Sequence, residues 1–205
     1  MPHTKDTCPN EMSAPVYALI TAVVAILDEL DVPYALGGSI ASSIVGQPRS
    51  TDDGDIAIHV DRDRADILIA RLAKQFYVPA SAAIAVDDHS SFNVLDVATG
   101  SKVDLFVVGD GLLDRMQIER RVQRSPAGLP ADIWITSIED LVLRKLDWYR
   151  SGGGVSQRQW RDVCAVLHMQ SDVIDRDYLT KTADLVELGD LLEQALREAG
   201  GTGSS

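Results

Sequence analysis

Cysteine is scarce in this chain of 205 residues: Cys8 and Cys164 are the only two. One sits in a polar N-terminal stretch and the other in an apolar helical pattern, so neither a disulfide framework nor a zinc site can be built from them. Long apolar runs are missing as well. No stretch approaches the roughly 20 apolar residues of a membrane span, and the N-terminus shows no signal-peptide pattern, which makes a reducing cytoplasm the expected location and a membrane partner unexpected. Positive charge is also short, with 19 Lys and Arg against 31 Asp and Glu and a net charge of -12. That balance argues against a protein whose whole surface coats nucleic acid but leaves room for a locally basic cleft. Two runs could line one: Arg115, Arg120, Arg121 and Arg124, then Arg144, Lys145, Arg150, Arg158 and Arg161. Their plainer reading is solvated helix faces. Trp134, Trp148 and Trp160 read as packing residues rather than base-stacking platforms. His59 and His89 lack a second ligand at metal spacing.

What is present is an ordinary globular composition, 45% hydrophobic and 24% charged, in a chain long enough to bury a real core. Residues 1–14 are polar, with Pro2 and Pro9, and read as a flexible arm. Pro15 suits a first helical turn, after which Val16, Leu19, Ile20, Val23, Ile26, Leu27 and Leu30 recur at helical spacing. Asp31-Val32-Pro33 ends that helix. Past Val60, Asp61 or Asp63 caps an amphipathic helix through Ile67, Leu68, Leu72 and Phe76. A weak strand is expected around Ala83 to Val86. Ser91 to Ala98 and Lys102 to Val108 flank Thr99-Gly100-Ser101, a natural hairpin turn, so the strand carrying Asp104 runs antiparallel to its predecessor. Gly111 to Gln117 reads as a short helix and Ala131 to Ile135 as a short strand. Ser137 then caps a helix with Asp140 at its third position. Ser151-Gly152-Gly153-Gly154 breaks it, and helices over 157–168, 176–184 and 187–199 follow. The expected organisation is an arm (1–14), a core (15–135), a helical region packed on it (136–199) and a disordered tail (200–205).

The rest is organised around Tyr34 to Val60, which reads as strand, glycine turn, short helix, loop, strand. Gly37-Gly38 can take backbone angles closed to other residues and leave no Cβ between the main chain and a ligand, and Ser39 stands where a helix N-cap hydroxyl would. Free N–H groups and a helix dipole converging there make an anion cradle. The helix, Ile40 to Val45, stops at Gly46, and Pro48 keeps it from resuming. Asp53 and Asp55 then open a strand through Ile56 and Ile58. Residues two apart on a strand face one side, and like charges held that close call for a cation between them, for which hard oxygen ligands suit Mg²⁺. A phosphate cradle beside a divalent-metal clamp is equipment for a nucleoside triphosphate.

Gly37-Gly38-Ser39 followed by Arg49-Ser50-Thr51-Asp52-Asp53-Gly54-Asp55 resembles the signature of the nucleotidyltransferase superfamily, the polymerase β-like enzymes. The resemblance implies an α+β (α/β) nucleotidyltransferase fold, a small mixed or antiparallel sheet flanked by helices with a helical C-terminal half. It implies two Mg²⁺ ions on Asp53, Asp55 and a third carboxylate from a neighbouring strand. Asp104, a single acid in the apolar Lys102-Val103-Asp104-Leu105-Phe106-Val107-Val108, fits that third place. Nucleotide contacts would come from Gly37, Gly38, Ser39, Arg49 and Thr51. Ser137 to Leu141, Arg144-Lys145-Leu146 and Arg158 to Val163 are similar to the pattern in toxins of the abortive-infection, type IV toxin-antitoxin group, which adds Lys145 and Asp162 to the nucleotide site. The implied activity is transfer of NMP from an NTP to an RNA, tRNA or protein hydroxyl with release of pyrophosphate, with a cognate antitoxin as a partner. A small-molecule transferase of the aminoglycoside-modifying type and a non-catalytic nucleotide-binding module stay open beside it. Two departures stand out: Gly54 replaces the usual aliphatic residue between the metal acids, which loosens that strand, and Asp52 adds a carboxylate.

Overall fold

The computed structural model describes residues 14–47, 51 and 53–201; residues 1–13 of the expected arm, 202–205 of the expected tail, Arg49 and Asp52 lie outside them, while Ala14 opens a helix and residues 200 and 201 close one. In chain order the elements are α1 (Ala14–Glu29), β1 (Tyr34–Leu36), α2 (Gly38–Val45), β2 (Asp53–Ile58), α3 (Arg62–Leu72), α4 (Ala82–Asp87), β3 (Ser91–Leu95), β4 (Lys102–Val107), α5 (Leu112–Glu119), β5 (Val122–Arg124), β6 (Ile133–Ile135), α6 (Ile138–Ser151), α7 (Gln157–Met169), α8 (Arg176–Leu185) and α9 (Gly189–Gly201). The strands form one mixed sheet in the order β3-β4-β2-β1-β6-β5. β4 runs antiparallel to β3, as the hairpin predicts, and parallel to β2.

Strand alternation divides the sheet into two chemically opposite faces. Leu36, Ile56, Ile58, Phe92, Val94, Val103, Leu105 and Ile135 are buried in one core with Leu19, Ile20, Val23 and Leu27 of α1 and Leu68 and Leu72 of α3. Gly54 belongs to this face, and its role differs from the loosening expected of a strand glycine. A Cβ there would lie 2.9 Å from Cγ1 and from Cδ1 of Ile20 and 3.2 Å from Val103 Cγ2. The glycine lets α1 close onto β2, on the side away from the aspartates. The other face carries Asp53, Asp55 and Ala57 on β2 and Lys102, Asp104 and Phe106 on β4. Ile118, near the end of α5, packs there on Ala35 and Ala57.

A second core holds Leu143 and Leu146 of α6, Val163 and Leu167 of α7, Leu179 of α8 and Leu192 of α9. Val45, at the end of α2, packs against both cores. The caps follow the sequence: Asp61 accepts from Arg64 N–H, Ser137 from Asp140 N–H and Asp175 from Tyr178 N–H. Residues 83–86 are helical rather than extended. The stretch is rich in alanine, a strong helix former, and Ala82, Ala85 and Val86 are buried at helical spacing while Ile84 faces out. The edge strand β5 is absent from the periodicity because Gln123 and Arg124 are exposed. No helix among the described residues is long and apolar enough to cross a membrane.

Candidate active site

The glycine turn is folded down onto β2. Gly37 N–H donates to Asp55 O at 2.8 Å, and Gly38 has φ +56°, the left-handed region that favours glycine. A Cβ on Gly38 would stand 1.7 Å from Asp55 Oδ2, so only glycine lets the turn approach the carboxylate. The helix begins earlier than its sequence suggests. Gly37 is its N-cap, and Ser39 sits one residue inside, its N–H 3.4 Å from Asp55 Oδ2 rather than its hydroxyl capping the turn.

The register sets Asp55 directly opposite Asp104 and Asp53 opposite Lys102. Burial pushes the Asp55 carboxyl above its ordinary 3.8; the Ser39 N–H opposes this, Asp104 adds to it, Lys145 opposes it and Asp53 adds to it. Lys102 Nζ bonds Asp104 Oδ2 at 2.9 Å and lies 3.8 Å from Asp53 Oδ1. The hydrogen bond to Asp104 lifts the lysine above its usual 10.5. The donor set fits a hard divalent cation in its chemistry: three carboxylates on one face, one of them raised in pKa next to the others. It is not closed into a cage, because among the described residues no three His, Cys, Asp or Glu side chains are arranged to hold a metal ion. The ammonium of Lys102 holds the space between the outer two.

Thr51 is buried and its hydroxyl donates to Asp53 O at 3.2 Å, bracing the entry to β2. Lys145 is 3% exposed and bonds Asp162 at 2.9 Å. The pair ties α6 to α7. Lys145 lines a cavity of about 20 Å³ with Gly37, Gly38, Asp55, Thr136 and Trp148. Asp162 lines a groove of about 420 Å³ between α2 and α7 with Ser42, Arg158 and Arg161. Arg158 reaches back to Ser39 Oγ at 3.3 Å. Thus Gly37, Gly38, Ser39, Asp53, Asp55, Asp104, Lys145 and Asp162 gather around one end of β2, β4 and α2.

Sequence reasoning overlooked three residues here. Lys102 stands two positions before Asp104, and strand alternation alone assigns it to the same face. Arg158 stood in a basic run and at the start of the Arg158 to Val163 stretch, without a role of its own. Thr136, whose hydroxyl is buried without a hydrogen-bond partner among the described residues, carried no sequence signal. Three other arginines of the basic runs are engaged inside the molecule. Arg120 pairs with Glu139 and Asp140, Arg144 with Asp114 and Asp147, and Arg150 with Asp147.

No protein-family model matches the chain, and no curated protein does. Its architecture is nonetheless that of solved structures. It is similar to an antigenic nucleotidyltransferase-like protein from Paracoccidioides brasiliensis, at 22% identity over 93% of this chain and 94% of that one, with a TM-score of 0.54. It is similar to the antibiotic-resistance factor ANT(2'')-Ia in solution, at 17% identity over 86% and 97% of the two chains, with a TM-score of 0.53. A crystal structure of ANT(2'')-Ia in complex with adenylyl-2''-tobramycin gives 17% identity over 74% and 88%, with a TM-score of 0.55. The fold is the nucleotidyltransferase fold.

Proposed function

We propose that the chain is a Mg²⁺-dependent nucleotidyltransferase, moving NMP from an NTP to an acceptor hydroxyl with release of pyrophosphate. The observation that carries this reading is the direct opposition of Asp55 and Asp104 under a glycine turn that only glycine can bring so close. The start of α2 brings the positive end of its dipole to this point, with the Gly37 and Ser39 N–H groups turned onto Asp55. Arg158 and Arg161, which line the groove beside α2, add positive charge on the same side, matching a triphosphate. Bound Mg²⁺ would neutralise the charge on the phosphates and lower the pKa of the acceptor hydroxyl. Asp53, Asp55 and Asp104 are the groups that would hold it. Asp104, the outer carboxylate of the opposed pair, is available to take the acceptor's proton. The acceptor oxygen then bonds the α-phosphorus as the bond to the β-phosphate oxygen breaks, and pyrophosphate leaves along the α2 groove. Positioning and charge neutralisation supply the acceleration.

For the acceptor, Arg120, Arg144, Lys145 and Arg150 of the two basic runs are ion-paired within the chain, which reduces the charge they can present to RNA. With a net charge of -12, complementarity favours a small hydroxylated cation, the chemistry of the tobramycin captured with ANT(2'')-Ia. A role as the toxin of a toxin-antitoxin pair would need the RNA or protein arm of the following test. The protein is incubated with each α-³²P-labelled NTP and Mg²⁺, with total tRNA, with its own polypeptide as sole acceptor, and with a panel of aminocyclitol compounds. Label transferred to a small molecule supports the reading, and label on tRNA or protein would reverse the acceptor assignment. Tight NTP binding with no labelled product in any arm would make the chain a nucleotide-binding module.

A further inference from the structure

The geometry points to Lys102 as a built-in counter-ion of the carboxylate set, whose ammonium stands between Asp53 and Asp104 before a divalent cation binds and leaves when it does; this rests on the metal-dependent reading above. On adjacent parallel strands, Asp53 faces Lys102 and Asp55 faces Asp104. The shared face therefore carries three acids and one base within a patch two residues deep. Without the base, Asp53 and Asp104 would meet Asp55 as bare like charges. Lys102 bridges the outer pair, at 2.9 Å to Asp104 Oδ2 and 3.8 Å to Asp53 Oδ1. A dication bonded to either oxygen would stand within a few ångströms of the ammonium, and like charges that close exclude each other.

The lysine is also built to move. Its side chain is 34% exposed and ends a flexible four-carbon stem, so it can swing to solvent without disturbing the sheet. Asp55 cannot do the same, because the turn at Gly38 is packed on its carboxyl. The mobile partner is the cation and the fixed partners are the ligands. The device keeps the site assembled while metal-free and sets a threshold of divalent cation above which it opens.

The test is a titration of Mn²⁺, read by the EPR signal of the free ion, on the wild-type chain and on Lys102→Met, Lys102→Arg and Lys181→Met, without nucleotide. Lys102→Met should bind Mn²⁺ about three- to tenfold more tightly, while Lys102→Arg and Lys181→Met stay close to wild type. In parallel, reductive methylation followed by mass spectrometry should show Lys102 labelled at least about twice as fast with saturating Mn²⁺, since a freed amine is the more reactive one, with Lys74 and Lys181 unchanged. Equal or weaker Mn²⁺ binding by Lys102→Met, or methylation of Lys102 that the ion leaves alone or slows, overturns the inference. If Mn²⁺ binds and nucleotide is transferred but Lys102→Met is unaffected, only the counter-ion role falls. If no variant takes up Mn²⁺ and no label is transferred, the metal-dependent reading falls with it.

Discussion

Asp140 at the start of α6 and Asp55 on β2 are both withdrawn from water, yet their surroundings are opposite. Asp140 is 1% exposed and accepts from the Ser137 hydroxyl at 2.6 Å, the Tyr178 hydroxyl at 2.7 Å and Arg120 at 3.2 Å. Its neighbour Glu139 accepts from Arg120 at 3.3 Å and from Asp175 N–H at 2.9 Å, and the Arg120 guanidinium lies over the Tyr178 ring. That network ties the end of α5, the start of α6 and α8 together, one guanidinium shared by two carboxylates whose other oxygens accept from neutral donors. Asp55, among the described residues, accepts one hydrogen bond of 3.4 Å and has two further carboxylates beside it. A satisfied acid cluster is a fastener. An unsatisfied one marks a place where folding has left charge for something else to neutralise.

The largest effect that separates the two is in activity. Asp55→Asn should lower nucleotide transfer at least about a thousandfold while the metal-free protein becomes no less stable. The sign follows from the raised carboxyl. A raised pKa gives stability that is complete below the unfolded value, near 3.8, and is lost as pH rises through the folded value. At neutral pH the wild type has lost it and Asn has not. Thermal melts without metal should therefore put Asp55→Asn above wild type at pH 7, with the gap closing on acidification, whereas Mn²⁺ affinity of the wild type should fall over the same acid range. Next comes Asp140→Ala, which leaves Arg120 and Tyr178 without their shared acceptor. It should cost about 3–5 kcal/mol in urea unfolding. A similar cost for both substitutions would erase the contrast.

How much of this was legible in the chain follows from the range of each signal. The glycine turn, the Asp53 and Asp55 pair, the Asp61 and Ser137 caps and the hairpin before Asp104 are local patterns, and strand and helix periodicity exposes them. The parallel pairing of β2 with β4 is not local. Forty-nine positions separate the opposed acids 55 and 104, and only the sheet order brings them together. Lys102 was in plain view two residues before Asp104, but its meaning depends on Asp53 across that same pairing. The α4 helix misread as a strand shows the converse limit, a short apolar stretch whose period became clear only once Ala82, Ala85 and Val86 had a core to face.

Gly38 and Gly54 carry the contrast down to single methyl groups, one for each face of the sheet. Gly38→Ala places a Cβ in the space of Asp55 Oδ2 at a positive φ. It should cost about 1–3 kcal/mol and weaken Mn²⁺ binding, because the carboxylate must move. Gly54→Ala meets the buried Ile20 side chain instead, at 2.9 Å from both Cγ1 and Cδ1, on the face that holds no acid. About 1 kcal/mol of stability should be lost by overpacking, with Mn²⁺ affinity unchanged. Trimming the partner should recover part of it: in a double-mutant cycle with Ile20→Ala, which removes both Cγ1 and Cδ1, the combined loss should fall below the sum of the two singles. Loss of Mn²⁺ affinity in Gly54→Ala with no such coupling would mean that the glycine serves the acids rather than the helix behind them.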